Sequence, residues 1–294
     1  MKKDFPIYDI STISEFKKED ILISRFAPYL ETHPNLCLPH KHNFFHMLLF
    51  TEGGGHHAID FKEFPVTPFQ IYFMIPGQVH SWNFEGEADG FVINFSLPFF
   101  KSFLLDSAYL EQFPFFSGVL EDCVLFLPDE LQSEVLRLFN SMLTESEAGH
   151  QQGMDMIRVL LVQLFITLSR LSERSQSKQR HGASYAVFKK FMSLIEQHIT
   201  TLKLPSEYAA LLHVTPNHLN SVCNMIFGKS AGEIIRDRVV LEAKRMIINI
   251  ELSISEIAYK LNFKDASYFS RFFKKYAGQS PEEFRQATLH INKH

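Results

Sequence analysis

The sequence predicts an α+β chain: an antiparallel β-barrel over residues 1–125, a helical connector over 126–174, a linker at 175–185 and an all-α domain over 186–294. Three observations carry this. Residues 22–96 are short apolar or alternating runs broken by Gly and Pro, which is how a meander of short strands is written. From residue 129 to 173 apolar residues recur at helical spacing. In the tail, SEYAALLHV at 206–214 returns as SEIAYKLNF at 255–263.

At 294 residues, 46% of them apolar, the chain can bury a core large enough for two domains. Its first ten residues, MKKDFPIYDI, lead into no apolar stretch of the kind that marks export, and no later run reaches the length of a bilayer span. A cytoplasmic protein without a membrane partner is expected. Cys37, Cys123 and Cys223 are odd in number, far apart and free of CxxC spacing, so neither a disulfide framework nor a structural zinc site is indicated. Charge is spread unevenly: residues 181–294 hold 15 Lys and Arg against 10 Asp and Glu, and residues 1–180 hold 14 against 23. A basic back behind an acidic front suits a nucleic-acid-binding tail, although two solvated surfaces give the same difference.

In the front segment the strand candidates are LISRFAPYL, HMLLFTE, HHAIDF, QIYFMIP, VHSWNFE and GFVINFS. Gly53-Gly54-Gly55, Pro65, Pro68, Pro76-Gly77 and Gly86 punctuate them, and the three glycines read as a hairpin turn. Residues 129–147 and 154–173 then read as amphipathic helices. In the second, Ile157, Leu161, Leu164, Leu168 and Leu171 alternate steps of four and three, the seam spacing of a coiled coil. Such a seam packs on the preceding helix or joins two chains, and a homodimer is expected. SERSQSKQRHGAS, 172–184, is polar, lacks large apolar residues and reads as linker.

The tail carries helix-start signals throughout. Ser230 with Glu233 and Ser253 with Glu256 have capping-box spacing, Thr215-Pro216 is an N-cap followed by proline, and Asp265 can cap the segment after Phe263. The repeat runs at an offset of 49 residues, which becomes 50 after one residue is inserted in the turn. Leu219, Val222, Cys223 and Ile226 then match Phe269, Phe272, Phe273 and Tyr276 on an apolar stripe, and Gly228 and Gly278 end both helices. On the other face Asn217, Asn220, Ser221 and Asn224 match Ser267, Ser270, Arg271 and Lys274. Each unit is a short helix, a tight turn and a second helix whose outer stripe can hydrogen-bond to base edges and phosphates, which describes a helix-turn-helix. A run of about twenty residues joins the units, roughly 30 Å as a helix. That is close to a turn of B-form DNA at about 34 Å, so one chain could read successive major grooves. A peptide-binding helical domain is the competing reading; it explains neither the cations on the outer stripe nor the matched caps.

Residues 188–286, and most closely ELSISEIAYKLNFKDASYFSRFFKKYAGQSPEEFR at 251–285, resemble the DNA-binding domain of the AraC family of transcription regulators. The resemblance implies a sequence-specific regulator bound to double-stranded promoter DNA, with RNA polymerase as a further partner. Carried over by position, it implies groove contacts from Asn217, Asn220, Ser221 and Asn224 in the first unit and from Ala266, Ser267, Ser270, Arg271 and Lys274 in the second. The family usually has Arg and Lys where this chain has Ser221 and Asn224, so less phosphate affinity is expected from the first reader, with base reading left to Asn side chains that suit adenine.

Chemistry in the front segment centres on PHKHNFFH, 39–46, where His40, His42 and His46 share parity and on one continuous strand point to one side. His80, Trp82 and Phe84 share a face downstream. The pattern is similar to the metal motif of cupin barrels, three His and a Glu around iron, manganese or zinc, with His46 standing where Glu is usual. AraC-family chains often carry a cupin-like barrel ahead of the DNA-binding part, and there such histidines line an effector pocket or satisfy hydrogen bonds. The expected effector site is His40, His42, His46, Tyr72, His80 and Trp82, with Phe73 as a further apolar wall, an unknown small molecule as effector, and no metal or cofactor. His56-His57 is set aside, since adjacent strand residues face opposite ways. The alternative is a metal-dependent cupin oxygenase or isomerase with an accessory helical domain. No carboxylate pair, Ser/His/Asp order or phosphate loop supports catalysis, and no catalytic residue is assigned.

Overall fold

The structure, a computed structural model, describes residues 7–8, 21–101, 109–175 and 183–291. After Ser175 the chain divides into two compact units. Among the described residues the first holds ten strands: β1 (Ile7–Tyr8), β2 (Ile21–Arg25), β3 (His40–His42), β4 (Phe45–Glu52), β5 (Gly55–Ile59), β6 (Lys62–Pro65), β7 (Gln70–Met74), β8 (Val79–Phe84), β9 (Asp89–Phe95) and β10 (Val124–Phe126). They form two five-stranded sheets, ordered β1-β3-β8-β5-β6 and β10-β7-β4-β9-β2. Every pairing is antiparallel except β1 with β3.

The α+β class holds, and among the described residues the cupin-like part takes the form of a two-sheet sandwich, no ladder joining the sheets. Gly53–Gly55 is correspondingly not a hairpin turn: β4 and β5, on either side of it, lie in different sheets. Gly55 has φ +92, and a Cβ there would sit 2.2 Å from the Asn83 carbonyl oxygen, so only glycine lets the crossing chain lie this close to β8.

Runs such as HMLLF and FVINF carry apolar residues at successive positions because the second sheet is buried on both faces; His46 and Asn94 are their polar members, both buried. Leu48, Phe50, Tyr72, Met74 and Val92 face the interior between the sheets, with Ile59 and Trp82 opposite them. Met47, Leu49, Ile71, Phe73, Phe91, Ile93 and Phe95 face outward into a second apolar layer. Two helices close that layer, α3 (Asp129–Ala148) and α4 (Gly153–Ser175); two shorter ones, α1 (Phe26–Thr32) and α2 (Leu97–Lys101), precede them. Ile157, Leu161, Leu164 and Leu168 are 0% exposed in this layer, so the seam spacing records packing within the chain and leaves those residues unavailable to a partner.

The second unit is helical: α5 (Ala183–His198), α6 (Pro205–Leu211), α7 (Pro216–Phe227), α8 (Ala231–Ile247), α9 (Ile254–Lys260), α10 (Ala266–Ala277) and α11 (Pro281–Ile291). Of the segment expected as linker, residues 172–175 are helical in α4, and 176–182 lie outside the described residues. The repeat is structural. α6 and α9 are offset by 49, α7 and α10 by 50, and the extra residue is Lys264, in the turn. His213 and Asn262 occupy the same left-handed conformation at φ 56 and 55. The following turn bonds match as well, Val214 N–H to Ala209 carbonyl at 3.0 Å and Phe263 N–H to Ala258 carbonyl at 2.9 Å. The connecting helix α8 is 17 residues long, about 26 Å. It is a common core element, buried at Ala231, Ile234, Ile235, Val239, Val240, Ala243 and Ile247 and packed against α6, α7, α9, α10 and α11. Arg285 on α11 closes its end by donating to the Ile247 carbonyl at 3.0 Å.

Candidate functional site

Both second helices of the repeat present polar stripes to solvent. The Thr215 hydroxyl accepts the His218 N–H at 3.2 Å to cap α7, and the Asp265 carboxylate accepts the Tyr268 N–H at 2.6 Å to cap α10. Burial of Leu219, Val222 and Cys223, and of Phe269 and Phe273, fixes the helix rotation and turns the other face outward. Asn217, Ser221 and Asn224 are exposed on α7, as are Ser267, Arg271 and Lys274 on α10. Asn220, Ala266 and Ser270 are half-buried, with Asn220 bonded to the Ala231 N–H and the Ser270 hydroxyl to the Ala266 carbonyl. The expected apolar stripe stops short at Tyr276, 41% exposed beneath the Arg236 guanidinium. α7 contains no Lys or Arg, whereas Lys264 and Lys275, not foreseen as contacts, are exposed around the second reader.

In the first unit the histidines converge by a route the sequence did not suggest. The chain breaks at Asn43-Phe44, so β3 and β4 are not one strand but belong to different sheets, and His46 faces His40 and His42 across the interior. Ring centroids lie 4.1 Å apart for His40–His80, 5.1 Å for His42–His80 and 5.3 Å for His42–His46 and His46–His80. His57 joins them, its Nε2 3.2 Å from His80 Nδ1, while His56 is exposed. Its shared parity with Ile59 on β5 was the signal available in the sequence. Trp82 lies 4.9 Å from His80 and Tyr72 4.8 Å from His57. Phe73 does not join: one residue along β7 it faces the outer layer, stacked on Phe115 at 4.0 Å.

Burial sets the protonation of the cluster. It pushes His40 down to about 4 and His46 to about 3, and holds His42, His57 and His80 well below the usual histidine range, neighbouring rings adding repulsion. The neutral rings then have determined tautomers. His40 Nδ1 faces the Leu38 carbonyl at 2.8 Å, His42 Nδ1 the Phe44 carbonyl at 2.8 Å and His46 Nδ1 the Asn94 Oδ1 at 2.6 Å. Each Nδ1 carries the proton and each Nε2 a lone pair. His42 Nε2, His46 Nε2, His57 Nδ1, His80 Nε2 and Trp82 Nε1 are buried without a hydrogen-bond partner among the described residues. Lone pairs of this kind suit a metal ion chemically, but among the described residues no three His, Cys, Asp or Glu side chains are arranged to hold one. The cysteines stay protonated, burial pushing the Cys123 and Cys223 thiols up to about 12.

Residues 32–162 match the AraC-like ligand binding domain and residues 208–287 match a helix-turn-helix domain. The chain belongs to the AraC family of transcription regulators. Its relatives include the uncharacterised HTH-type transcriptional regulator YfiF of Bacillus subtilis (strain 168), 24% identical over 264 residues, 87% of this chain and 81% of that one. The HTH-type transcriptional activator RhaR of Yersinia pestis bv. Antiqua (strain Angola) is 21% identical over 277 residues, 92% and 93% of the two chains. Among solved structures, ToxT from Vibrio cholerae O395 aligns over 91% of this chain and 98% of its own with a TM-score of 0.45 and 15% identity. This AraC-family regulator thus binds DNA through its helix-turn-helix unit and carries a ligand-binding domain ahead of it. No helix among the described residues is long and apolar enough to cross a membrane.

Proposed function

We propose that the effector of this regulator binds between the two sheets, at His40, His42, His46, Tyr72, His80 and Trp82 together with His57. The carrying observation is the set of five buried nitrogens without partners, since each such group costs about 1–3 kcal/mol until something bonds to it. His42 and His46 offer lone pairs and Trp82 an N–H, which favours a small neutral molecule bearing hydroxyl or amine groups and disfavours a carboxylate. On the DNA side, Asn217, Ser221, Asn224, Ser267, Arg271 and Lys274 contact successive major grooves of promoter DNA. Met156 and Val159, 49% and 48% exposed on α4, give a homodimer an apolar surface in place of the buried seam. The protein acts in the cytoplasm as a regulator that recruits or blocks RNA polymerase, and not as a catalyst.

A thermal-shift screen of the full chain against neutral polyhydroxyl compounds, amines and carboxylic acids tests the effector site. At least one neutral donor should raise the melting midpoint of the wild type and lose that effect with His46→Leu. Stabilisation by carboxylic acids alone overturns the assignment. Stoichiometric iron or manganese in purified protein, lost with His42→Ala, would restore the metal-dependent enzyme reading.

A further inference from the structure

The internal repeat supplies its own control for one half-buried residue of the first reader. Each helix-turn-helix is followed by a third helix opened by the same capping box. The Ser230 N–H donates to Glu233 Oε2 at 2.8 Å before α8, and fifty residues on the Ser280 N–H donates to Glu283 Oε2 at 2.7 Å before α11. The two starts differ in their first helical residue. The first residue of α8 is Ala231, whose N–H is among the donors that a helix start leaves without an intrahelical acceptor; the first residue of α11 is Pro281, which has no N–H at all.

The reading helices differ to match. Asn220 Oδ1 accepts the Ala231 N–H at 3.0 Å. Its counterpart fifty residues later, Ser270, bonds within its own helix, the hydroxyl donating to the Ala266 carbonyl at 2.8 Å. Where the donor exists, the reading helix carries an acceptor for it. Where proline has removed the donor, the residue there turns its hydroxyl back to its own helix. Ala231 is 0% exposed, so solvent cannot replace Asn220 as the partner of that N–H.

We propose that Asn220 is a positioning residue: its amide latches the first reading helix to the start of α8 and sets the angle at which Asn217, Ser221 and Asn224 meet DNA. The paired contact by which Asn reads adenine uses both amide atoms, and here the oxygen is committed to the backbone. The latch belongs on the first reader for a physical reason. α7 carries no Lys or Arg to draw it onto phosphates, so its affinity depends on having its geometry fixed before DNA arrives. Asn220 is thereby removed from the set of base-reading residues, while its pairing with Ala231 becomes a determinant of binding by the whole first unit.

The inference rests on α7 entering a groove, and a double-mutant cycle on the full chain separates the two ideas. Asn220→Ala, Ala231→Pro and their combination are compared by thermal melting and by gel-shift titration on a site selected by the wild type from random DNA. Proline at residue 231 copies the chemistry of Pro281 and fits the first position of a helix. Asn220→Ala should lower the melting midpoint and weaken binding about five-fold or more, the span of one unpaired buried donor. In the Ala231→Pro background the same change should cost less than about two-fold, because no donor remains to be satisfied. Repeating the selection with Asn220→Ala should return unchanged base preferences with a weaker first half-site. Equal losses in both backgrounds, or a changed preference at a single base pair, overturn the proposal. Asn220→Asp keeps the acceptor and should keep the melting midpoint, so a drop equal to that of Asn220→Ala also overturns it. If Asn224→Ala leaves binding untouched, the first reader does not engage DNA, and the melting cycle still decides whether the latch exists.

Discussion

At the scale of single residues, burial and charge decide what each side chain can do. Five neutral imidazoles lie between the sheets, with His40 near 4, His46 near 3 and the others well below the ordinary value of about 6.5. Since the unfolded chain binds more protons than the folded one below about 6.5, the stability contributed by neutral burial is complete above that pH and is lost as pH falls toward 4. Urea melts at pH 7.5 and pH 5 should show the first unit weakening on acidification, with a smaller change after His57→Leu. On the other unit, Arg271→Ala should weaken specific DNA binding by about 1–3 kcal/mol, whereas Ser221→Ala should cost little. Gel-shift titrations giving equal losses would remove the asymmetry between the readers.

At the scale of elements, caps and turns explain why the tail reads so clearly. Capping boxes at Ser230, Ser253 and Ser280, left-handed glycines at Gly228 and Gly278, and matched turn residues at His213 and Asn262 are local features, fixed by a few neighbouring bonds, so they survive duplication and can be seen in sequence. One helix start is incomplete. Glu207 accepts the Leu204 N–H at 2.8 Å, but the Leu204 side chain, 59% exposed, has no oxygen to return the bond. Leu204→Ser, copying Ser253, should stabilise the second unit by about 1 kcal/mol, read as a higher melting midpoint. Strand elements were harder to read. The parity of His40, His42 and His46 was visible, yet the break at Asn43-Phe44 that sends them to opposite walls depends on which sheet each strand joins.

For the molecule as a whole, the seam on α4 distinguishes folding from assembly. Leu161 and Leu164 are wholly buried in the chain's own apolar layer, so Leu164→Ala should destabilise the first unit by about 2–5 kcal/mol. The loss should be the same at low and high protein concentration; one that shrinks on dilution would place the seam between chains instead. The sequence by itself determined two kinds of domain, the duplicated reader, its caps and its polar stripes, because helical period and capping chemistry act within a few residues. Only the tertiary structure decided that the strands divide into two sheets, that Phe73 faces away from the histidine cluster while His57 joins it, and that Asn220 accepts from Ala231. Those outcomes depend on which distant segment supplies the opposite wall or the nearest donor, and a linear pattern specifies the face of a residue without specifying what that face meets.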